Sequence, residues 1–450
     1  MRVYRLEVKL NKEQQALYKL NISACRFVYN LYIQENEGAY REGKKFISAY
    51  TFHKWFNNEY IPLHEDMRWL KNASSKAIKQ AILNCESAYK KFFRGLSGKP
   101  KFKKASTDKT GYYFVKNGKD QIIKYERNKV KVPCMGWVTF KEMNYFPQGK
   151  VIRSGCITKK ANKYFISLLV DEPFTITEKN KNEGIGIDLG LKEFMTSSNG
   201  LVFKNVNKSL RVRKLEKKLK RIQRALSRKR EAHKKNKSLT WNNYNKNKLQ
   251  LENQYLRLEN VRNAYINKCI DFLIDLEPKF ITLENLNIKG MKKNKHLSKA
   301  ISDSKFYYTK QVLIQKCNKH GIEVREVDRF YPSSKKCSKC GNIKKDLKLK
   351  DRTYKCSCGN EIDRDLNASI NLKEAKEYKV LTTGGLPESN DCEVYKNLVV
   401  TVQPTTESET IHEEAVKSRF VLIKSIDKRR NLCYNKYVDI LQVCVYLDTN

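Results

Sequence analysis

The chain has 450 residues and carries 91 Lys and Arg against 48 Asp and Glu, a formal net charge of +43. Its length and 40% hydrophobic content predict two or three domains with packed cores, and its charge favours nucleic acid as partner over a membrane surface or mere solubility. The sequence contains no run of about 18 apolar residues that could span a bilayer. Its first residues lack the apolar segment of a signal peptide.

The 13 cysteines are an odd number without a framework of spacings, which argues against a secreted disulfide scaffold. Four of them lie in one motif between 337 and 358. Most of the others are scattered singly and are expected to be small buried hydrophobic side chains. This pattern predicts a reducing compartment, the cytoplasm first and the nucleus as the alternative.

The first half of the chain mixes both kinds of secondary structure. Residues 1–10 alternate apolar and charged positions, as a half-buried strand does. From 11 to about 94 the apolar positions recur with a helical period. Short strand-like pieces separated by turn residues follow, the last of them a hairpin turning at Ala161 and Asn162. We therefore expect a small β-barrel with a helical domain inserted after its first strand.

The clearest helical pattern in that insertion runs from 73 to 93. Its apolar stripe recurs every three or four positions, at Ala77, Ala81, Cys85, Ala88 and Phe92. Lys76, Gln80 and Asn84 line another face of the same helix. A solvated face and a nucleic-acid contact are both compatible with this polar row.

The second half predicts a different domain. Residues 184–200 form a short apolar strand and a hairpin turn at Asn199 and Gly200. A helical region from 209 to 275, interrupted near 238–243, follows. Then come a buried strand at 280–283 and a helix near 303–320. With the later strand, cysteine motif and helix, this order fits an RNase H-like α/β domain.

The helical region is strongly basic in its first part. Between 204 and 248 only Glu216 and Glu231 oppose the lysines and arginines. Because a solvated coiled-coil face normally mixes charges of both signs, contact with phosphates is the preferred interpretation.

The cysteine motif contains two close pairs, Cys337 with Cys340 and Cys356 with Cys358. Paired thiolates followed by glycine are typical of a chain folded around a tetrahedral zinc, so one structural zinc is predicted. The second pair is C-x-C, one residue tighter than the usual knuckle. A redox pair, or ligation completed by another side chain, stays open as an alternative.

Three acidic residues lie where strands end or helices begin: Asp188, Glu284 and Asp365. Each alone is a weak signal, since such residues often form turns or caps. Together they suggest a carboxylate cluster that gathers two Mg²⁺ ions for phosphodiester hydrolysis. Asp363 competes with Asp365 for this role, and its other interpretation is pairing with a neighbouring arginine.

The blocks GIGIDLG, FITLENL and CSKCGN…YKCSCGNEIDRDLNASINL resemble the split RuvC nuclease and zinc ribbon of TnpB. TnpB is a transposon-encoded RNA-guided endonuclease related to the compact type V CRISPR effectors. CRFVYNLYI, AYKKFFRG with KPKFKK, and YPSSKKCSKCG add to the resemblance, which covers roughly residues 1–390.

The resemblance implies a multidomain α/β protein with an RNase H-like (RuvC) nuclease domain and an N-terminal β-barrel. The expected domains are a wedge-like barrel at 1–10 and 101–180, an inserted helical recognition domain at 11–100, the RuvC-like domain at 181–330 and 360–382, a zinc ribbon at 331–359, and an extension of unknown role at 383–450.

The resemblance also implies binding of a structured guide RNA and of target DNA, double-stranded and then single-stranded. Cleavage next to a short adjacent motif would use Asp188, Glu284 and Asp365 with two Mg²⁺, while the four cysteines hold one zinc. Contacts to the adjacent motif are expected from the helical domain, with Lys76 and Gln80 as candidates. A monomer is expected, with an RNA-bound dimer as the alternative.

Two rival functions are compatible with the residues: a guide-dependent DNA binder without cleavage, and a nucleic-acid-binding accessory to transposition. The presence of all three carboxylates argues against the first of these.

Overall fold

The computed structural model describes residues 2–105, 111–116, 123–172, 182–347 and 351–382. The extension predicted at 383–450 lies outside the described residues. Within these ranges no helix is both long enough and apolar enough to cross a membrane. Backbone contacts divide the chain into two compact units, Met1–Thr175 with Ala225–Leu256 and Ile176–Arg224 with Arg257–Thr383.

The first unit contains a seven-stranded antiparallel sheet. Its strands are β1 (Arg2–Lys9), β2 (Tyr112–Val115), β3 (Tyr125–Glu126), β4 (Lys129–Val132), β5 (Gly136–Phe140), β6 (Val151–Lys160) and β7 (Lys163–Asp171), in the order β2-β6-β7-β1-β5-β4-β3. Tyr4, Leu6 and Val8 of β1 point into its core, as the alternating sequence predicts. The predicted hairpin is confirmed, because β6 and β7 are joined by Ala161 and Asn162.

The order of the strands shows where the helices of this unit are inserted. β1 lies between β7 and β5, although four helices separate it from β2 in sequence. In the described part of the chain β2 and β3 are the two ends of the sheet. Closure into a barrel therefore stays a prediction.

The inserted helices have a core of their own. They are α1 (Lys12–Arg41), α2 (Ala49–Trp55), α3 (Ile61–Leu63) and α4 (Ser75–Phe93), with a π-type turn at Phe56–Tyr60 and a 3₁₀ segment at Glu65–Asn72. Helix α1 begins with a capping box in which Asn11 and Gln14 bond each other's backbone amides. Tyr32, Phe52 and Ile82 are fully buried between these helices.

Helix α4 confirms most of the predicted apolar stripe. Ala77, Ala81 and Cys85 are buried, and Ser74 caps the first turn. The stripe continues to Tyr89 instead of Phe92, which is 37% exposed. Tyr89 lies two helical turns beyond Ala81, on the side of the helix that packs against its neighbours. Tertiary packing therefore decides that Tyr89, and not Phe92, is the buried ring.

The second unit is built on a six-stranded mixed sheet. Its strands are β8 (Ile185–Leu189), β9 (Glu193–Ser197), β10 (Val202–Lys204), β11 (Phe280–Leu283), β12 (Glu323–Glu326) and β15 (Lys379–Val380), in the order β10-β9-β8-β11-β12-β15. The pairs β8–β11 and β11–β12 are parallel, and the other pairs are antiparallel. A separate hairpin is formed by β13 (Thr353–Lys355) and β14 (Glu361–Asp363).

The described helices that belong to this unit wholly or in part are α5 (Leu210–Lys235), α6 (Asn242–Asp275), α7 (Ile288–Met291), α8 (Ser298–Ser304), α9 (Phe306–Lys319) and α10 (Arg364–Lys373). The parts of α5 and α6 between Ala225 and Leu256 are grouped with the first unit. Side chains of α6 and α9, such as Ile270 and Leu313, bury the apolar residues of the parallel strands. The predicted break in the long helical region and the predicted strand at 280–283 are confirmed. The mixed α/β class of the prediction is confirmed as well.

Helix α10 lies directly against β8. A Cβ atom on Gly186 would lie 2.0 Å from the Ser369 carbonyl oxygen and 2.4 Å from the Lys373 nitrogen. These are backbone atoms, which cannot rotate away. Glycine at 186 therefore sets the distance between this strand and this helix.

Replacing Gly186 by alanine is expected to destabilise the second unit by about 1–3 kcal/mol or more, because the added methyl overpacks the contact between β8 and α10. Hydrogen exchange followed by mass spectrometry on peptides covering β8 and α10 measures this as lost protection. Gly38→Ala is the control, since its Cβ meets nothing within 4 Å. Equal protection in both variants would contradict the prediction.

Candidate active site and metal centre

Two of the predicted carboxylates leave neighbouring strands at the same edge of the sheet. Asp188 lies in β8, and Glu284 directly follows β11. These strands are parallel, with Ile187 paired to Leu283, so Asp188 and Glu284 occupy matching positions on strands about 4.8 Å apart. Asp365 reaches the same region from the first turn of α10, the helix packed on β8.

The three carboxylates interact electrostatically. Burial raises the pKa of Asp188 to about 7, and the charges of Glu284 and Asp365 add to the rise. Burial also raises the pKa of Glu284, and the charge of Arg364 opposes the rise at both residues. The structure therefore brings the three predicted residues together into one cluster of half-buried acids.

Asp363 has a different position from Asp365. It is the N-cap of α10, where its Oδ1 accepts from the Asp365 nitrogen at 2.9 Å and the Leu366 nitrogen at 3.1 Å. Its side chain is exposed, and the charge that acts on Asp188 comes from Asp365. Of the two competing acids, the structure thus brings Asp365 to the cluster and leaves Asp363 as a cap.

Sequence reasoning missed Arg364 as a member of this site. Its guanidinium contacts the Asp351 carbonyl oxygen at 3.4 Å and Ser334 Oγ at 3.5 Å, and its charge lowers the pKa of Asp188 and Glu284. The arginine between two acids was a visible signal, but it was interpreted only as a partner of Asp363. It supplies positive charge to an otherwise acidic cluster.

In buffers free of Mg²⁺, the free energy of unfolding is expected to decrease between about pH 4 and pH 7. Because the Asp188 pKa rises from 3.8 to about 7, the folded chain binds a proton that the unfolded chain has released. Each pH unit across this window costs up to about 1.4 kcal/mol. Urea unfolding at a series of pH values measures the slope. It should flatten in Asp188→Asn, and an equal slope in both proteins would contradict the assignment.

The four motif cysteines form a second cluster, with all sulfur atoms within 4.8 Å of one another. Cys337 and Cys358 are separated by 3.7 Å between sulfurs, and Cys340 and Cys356 by 3.6 Å. Sulfurs 2.3 Å from a tetrahedral zinc lie about 3.8 Å apart. The donor set therefore fits one zinc, and the tight C-x-C pair contributes both of its sulfurs.

Local hydrogen bonds shape the two knuckles. Gly341 and Gly359 adopt φ values of +78° and +81°, which favour glycine at these turns. Burial opposes charge on Cys337, but backbone amides and the Asn360 side chain, 3.4 Å from its sulfur, lower the pKa of this thiol to about 6. Such donors favour the thiolate form that a metal ion requires.

The cysteine segment is hydrogen-bonded to the helix that carries Asp365. Asn367 donates to the Lys336 carbonyl at 2.7 Å and accepts from the Ser338 nitrogen at 3.0 Å. Asn371 donates to the Ser333 and Lys336 carbonyls, both at 2.7 Å. Both asparagines are buried in α10.

Helix α5 presents the basic surface that the sequence predicted. Lys214, Lys217, Lys218, Arg221 and Ile222 line an open concavity of about 510 Å³. Glu216, on the same helix, accepts from Arg262 at 3.1 Å and from Lys299 at 3.0 Å. Since Glu216 is already paired with Arg262 and Lys299, it does not neutralise the lysines and the arginine that line the concavity.

Lys76 and Gln80 lie on helix α4, which belongs to the first unit. Lys76 is exposed, and Gln80 is half-buried with its amide donating to Asn84 at 2.8 Å. Their predicted contact with DNA stays a prediction.

Three family models match the chain: a helix-turn-helix domain (HTH_OrfB_IS605) at 1–45, OrfB_IS605, described as "Probable transposase", at 165–295, and the Cas12f1-like TNB domain at 306–372. These three matches lie in separate parts of the chain and show its similarity to TnpB-like transposases and Cas12f1-like proteins. Asp188 and Glu284 fall within the second of these matches, and Asp365 and the four cysteines fall within the third.

Curated relatives are similar to this chain along most of its length. "Putative RNA-guided DNA endonuclease InsQ" of Escherichia coli (strain K12) is 25% identical over 86% of this chain and 95% of its own length. "Putative RNA-guided DNA endonuclease" of Streptomyces pristinaespiralis is 25% identical over 83% of this chain and 89% of its own. The solved structure entitled "Cryo-EM structure of the Cas12f1-sgRNA-target DNA complex" is 14% identical, covering 84% of this chain and 99% of that one with a TM-score of 0.48, a likeness too weak for any argument about the site.

Proposed function

We propose that this TnpB-like chain is an RNA-guided DNA endonuclease. In this proposal it binds a structured guide RNA and hydrolyses target DNA next to a short adjacent motif, at one RuvC-like site with two Mg²⁺. The observation that carries the proposal is the cluster of Asp188, Glu284 and Asp365 at one edge of the mixed sheet. The names of the two curated relatives agree with it.

The carboxylates supply the hard oxygen ligands that Mg²⁺ prefers. Their mutual repulsion, visible in the raised pKa of Asp188, is the kind that a bound divalent cation relieves. Bound Mg²⁺ ions would activate a water and neutralise the departing alkoxide. Arg364 offsets part of the negative charge, which limits how strongly the acids retain protons at neutral pH.

The basic face of α5 supports binding of a nucleic-acid backbone. Lys214, Lys217, Lys218 and Arg221 can neutralise phosphates, and released counterions then make binding salt-dependent. Contacts of this kind are indifferent to base sequence. That suits a protein in which the sequence of the target is read by pairing with a guide RNA.

The remaining assignments belong to the same proposal. The cysteine cluster holds one structural zinc, and the domains follow the ranges predicted from the sequence, with a wedge-like barrel around the seven-stranded sheet. Lys76 and Gln80 contact the adjacent motif in duplex DNA. The protein acts in the cytoplasm as a monomer, with an RNA-bound dimer as the alternative.

The test is to co-express the chain with its flanking genomic segment and to sequence the RNA that copurifies. The purified complex is then incubated with Mg²⁺ and a plasmid library that carries the matching target beside randomised bases. Cleavage that depends on the RNA and on one enriched neighbouring sequence is expected. Absence of bound RNA, or cleavage that survives Asp188→Ala, would overturn the proposal, and bound but uncut target would indicate a guide-dependent DNA binder.

A further inference from the structure

Phe330 follows β12 and exposes 87% of its surface, more than any other large hydrophobic side chain in the described part of the chain. Its neighbours in sequence behave differently. Val327 is buried, and Tyr331 packs against Val327 and Leu372. An aromatic ring in water next to two packed residues needs an explanation, because the hydrophobic effect opposes its exposure.

The turn that carries Phe330 is held by hydrogen bonds on both sides. The Val327 nitrogen donates to the Leu283 carbonyl at 3.1 Å, and the Phe330 nitrogen donates to Asp328 Oδ1 at 2.9 Å. The Tyr331 hydroxyl donates to the Asn371 carbonyl of α10 at 2.8 Å. The Phe330 ring is therefore carried by a turn whose backbone is fixed by hydrogen bonds.

This turn leaves the sheet at the edge where the carboxylates lie. In the parallel strands Leu283 is paired with Ile187 on one side and with Glu326 on the other. The next positions along these strands are Asp188, Glu284 and Val327, on strands spaced about 4.8 Å apart. Phe330 is three residues beyond Val327, and the exposed Arg329 precedes it.

We propose that Phe330 stacks on an unpaired base of the DNA strand that is being cut, and so positions its phosphate at the carboxylate cluster. This inference rests on the proposed nuclease function. A base stack suits that function, because every base offers a flat face and stacking accepts any sequence. A guide-directed nuclease must cut whatever target its guide selects, so contacts near its cutting site have to be independent of sequence. Arg329 adds a cation beside the ring for a neighbouring phosphate.

The first measurement does not depend on cleavage. The RNA-bound complex carrying Asp188→Ala is mixed with single-stranded DNA oligonucleotides in which 2-aminopurine is moved one position at a time. Stacking on Phe330 is expected to quench the fluorescence at one position, and Phe330→Ala should abolish that quenching. Matched RNA oligonucleotides form the second arm. Quenching by RNA alone, or quenching that survives Phe330→Ala, would overturn the inference.

The second measurement compares cleavage by four variants with an active Asp188. Phe330→Ala and Phe330→Leu should lower kcat/KM by about tenfold to a hundredfold, the range expected for the loss of one base stack, whereas Phe330→Trp should restore it. Tyr307→Ala, at a site 58% exposed in the same unit, should cut like the unaltered protein. Full activity of Phe330→Leu would overturn stacking, while an inactive unaltered protein would count against the proposed function and leave the fluorescence result standing.

Discussion

Replacing Asp188 by alanine is expected to abolish DNA cleavage while the chain still copurifies with its RNA. Asp188 is the centre of the carboxylate cluster, since Glu284 and Asp365 both act on its pKa. In the proposed mechanism, a divalent cation at the cluster would then lose one of its charged ligands. Lewis-acid stabilisation worth several kcal/mol corresponds to a loss of about a thousandfold or more in rate at 1.36 kcal/mol per tenfold. Single-turnover cleavage of a plasmid target measures it.

The matched control for that variant is Asp363→Asn, two residues from Asp365. Asp363 caps α10 through its Oδ1, and asparagine offers an oxygen in the same place. Cleavage by Asp363→Asn should therefore stay close to that of the unaltered chain. An inactive Asp363 variant beside an active Asp188 variant would contradict the assignment of the acids.

Replacing Cys340 by serine is expected to prevent binding of the proposed zinc and to unfold the segment around the cysteine cluster. Zinc bound to four thiolates contributes folding free energy directly, about 10–16 kcal/mol in isolated zinc-finger peptides. The hairpin β13–β14 has only three residues in each strand, so it has little other source of stability. We expect about one zinc per chain by elemental analysis of the unaltered protein and far less in the variant.

Cys134→Ser is the control for this experiment, because Cys134 is exposed and lies in the first unit, away from the motif. Its zinc content should equal that of the unaltered chain. Hydrogen exchange on peptides from 333 to 363 should rise only in Cys340→Ser. One zinc per chain in the Cys340 variant would show that the metal is held elsewhere.

Local patterns in the sequence predicted much of the secondary structure. The strand at 280–283, the hairpin at Ala161 and Asn162, and the break in the basic helical region depend on residues close together in the chain. Hydrophobic period and turn residues are sufficient for such features. The cysteine cluster was equally accessible, because the spacing of its members restricts how they can fold.

Features that depend on tertiary packing could not be predicted from local sequence patterns. Only the geometry of the α10 cap separates Asp363, which is the N-cap, from Asp365 in the first turn, since the sequence places both acids at the start of the helix. The approach of Arg364 to Asp188 depends on how α10 packs over Gly186. Exposure of Phe330 also could not be foreseen, because an aromatic residue after a strand is usually buried.

The hydrogen bonds of Asn367 and Asn371 to the cysteine segment have a thermodynamic consequence. They connect the cysteine cluster to the helix that carries Asp365, so the two proposed metal sites share one structural element. Linked equilibria are reciprocal. If an ordered cysteine segment increases the affinity for Mg²⁺, then bound Mg²⁺ must increase the affinity for zinc by the same factor. If both proposed sites bind their metal ions, a chain made without zinc would bind Mg²⁺ more weakly.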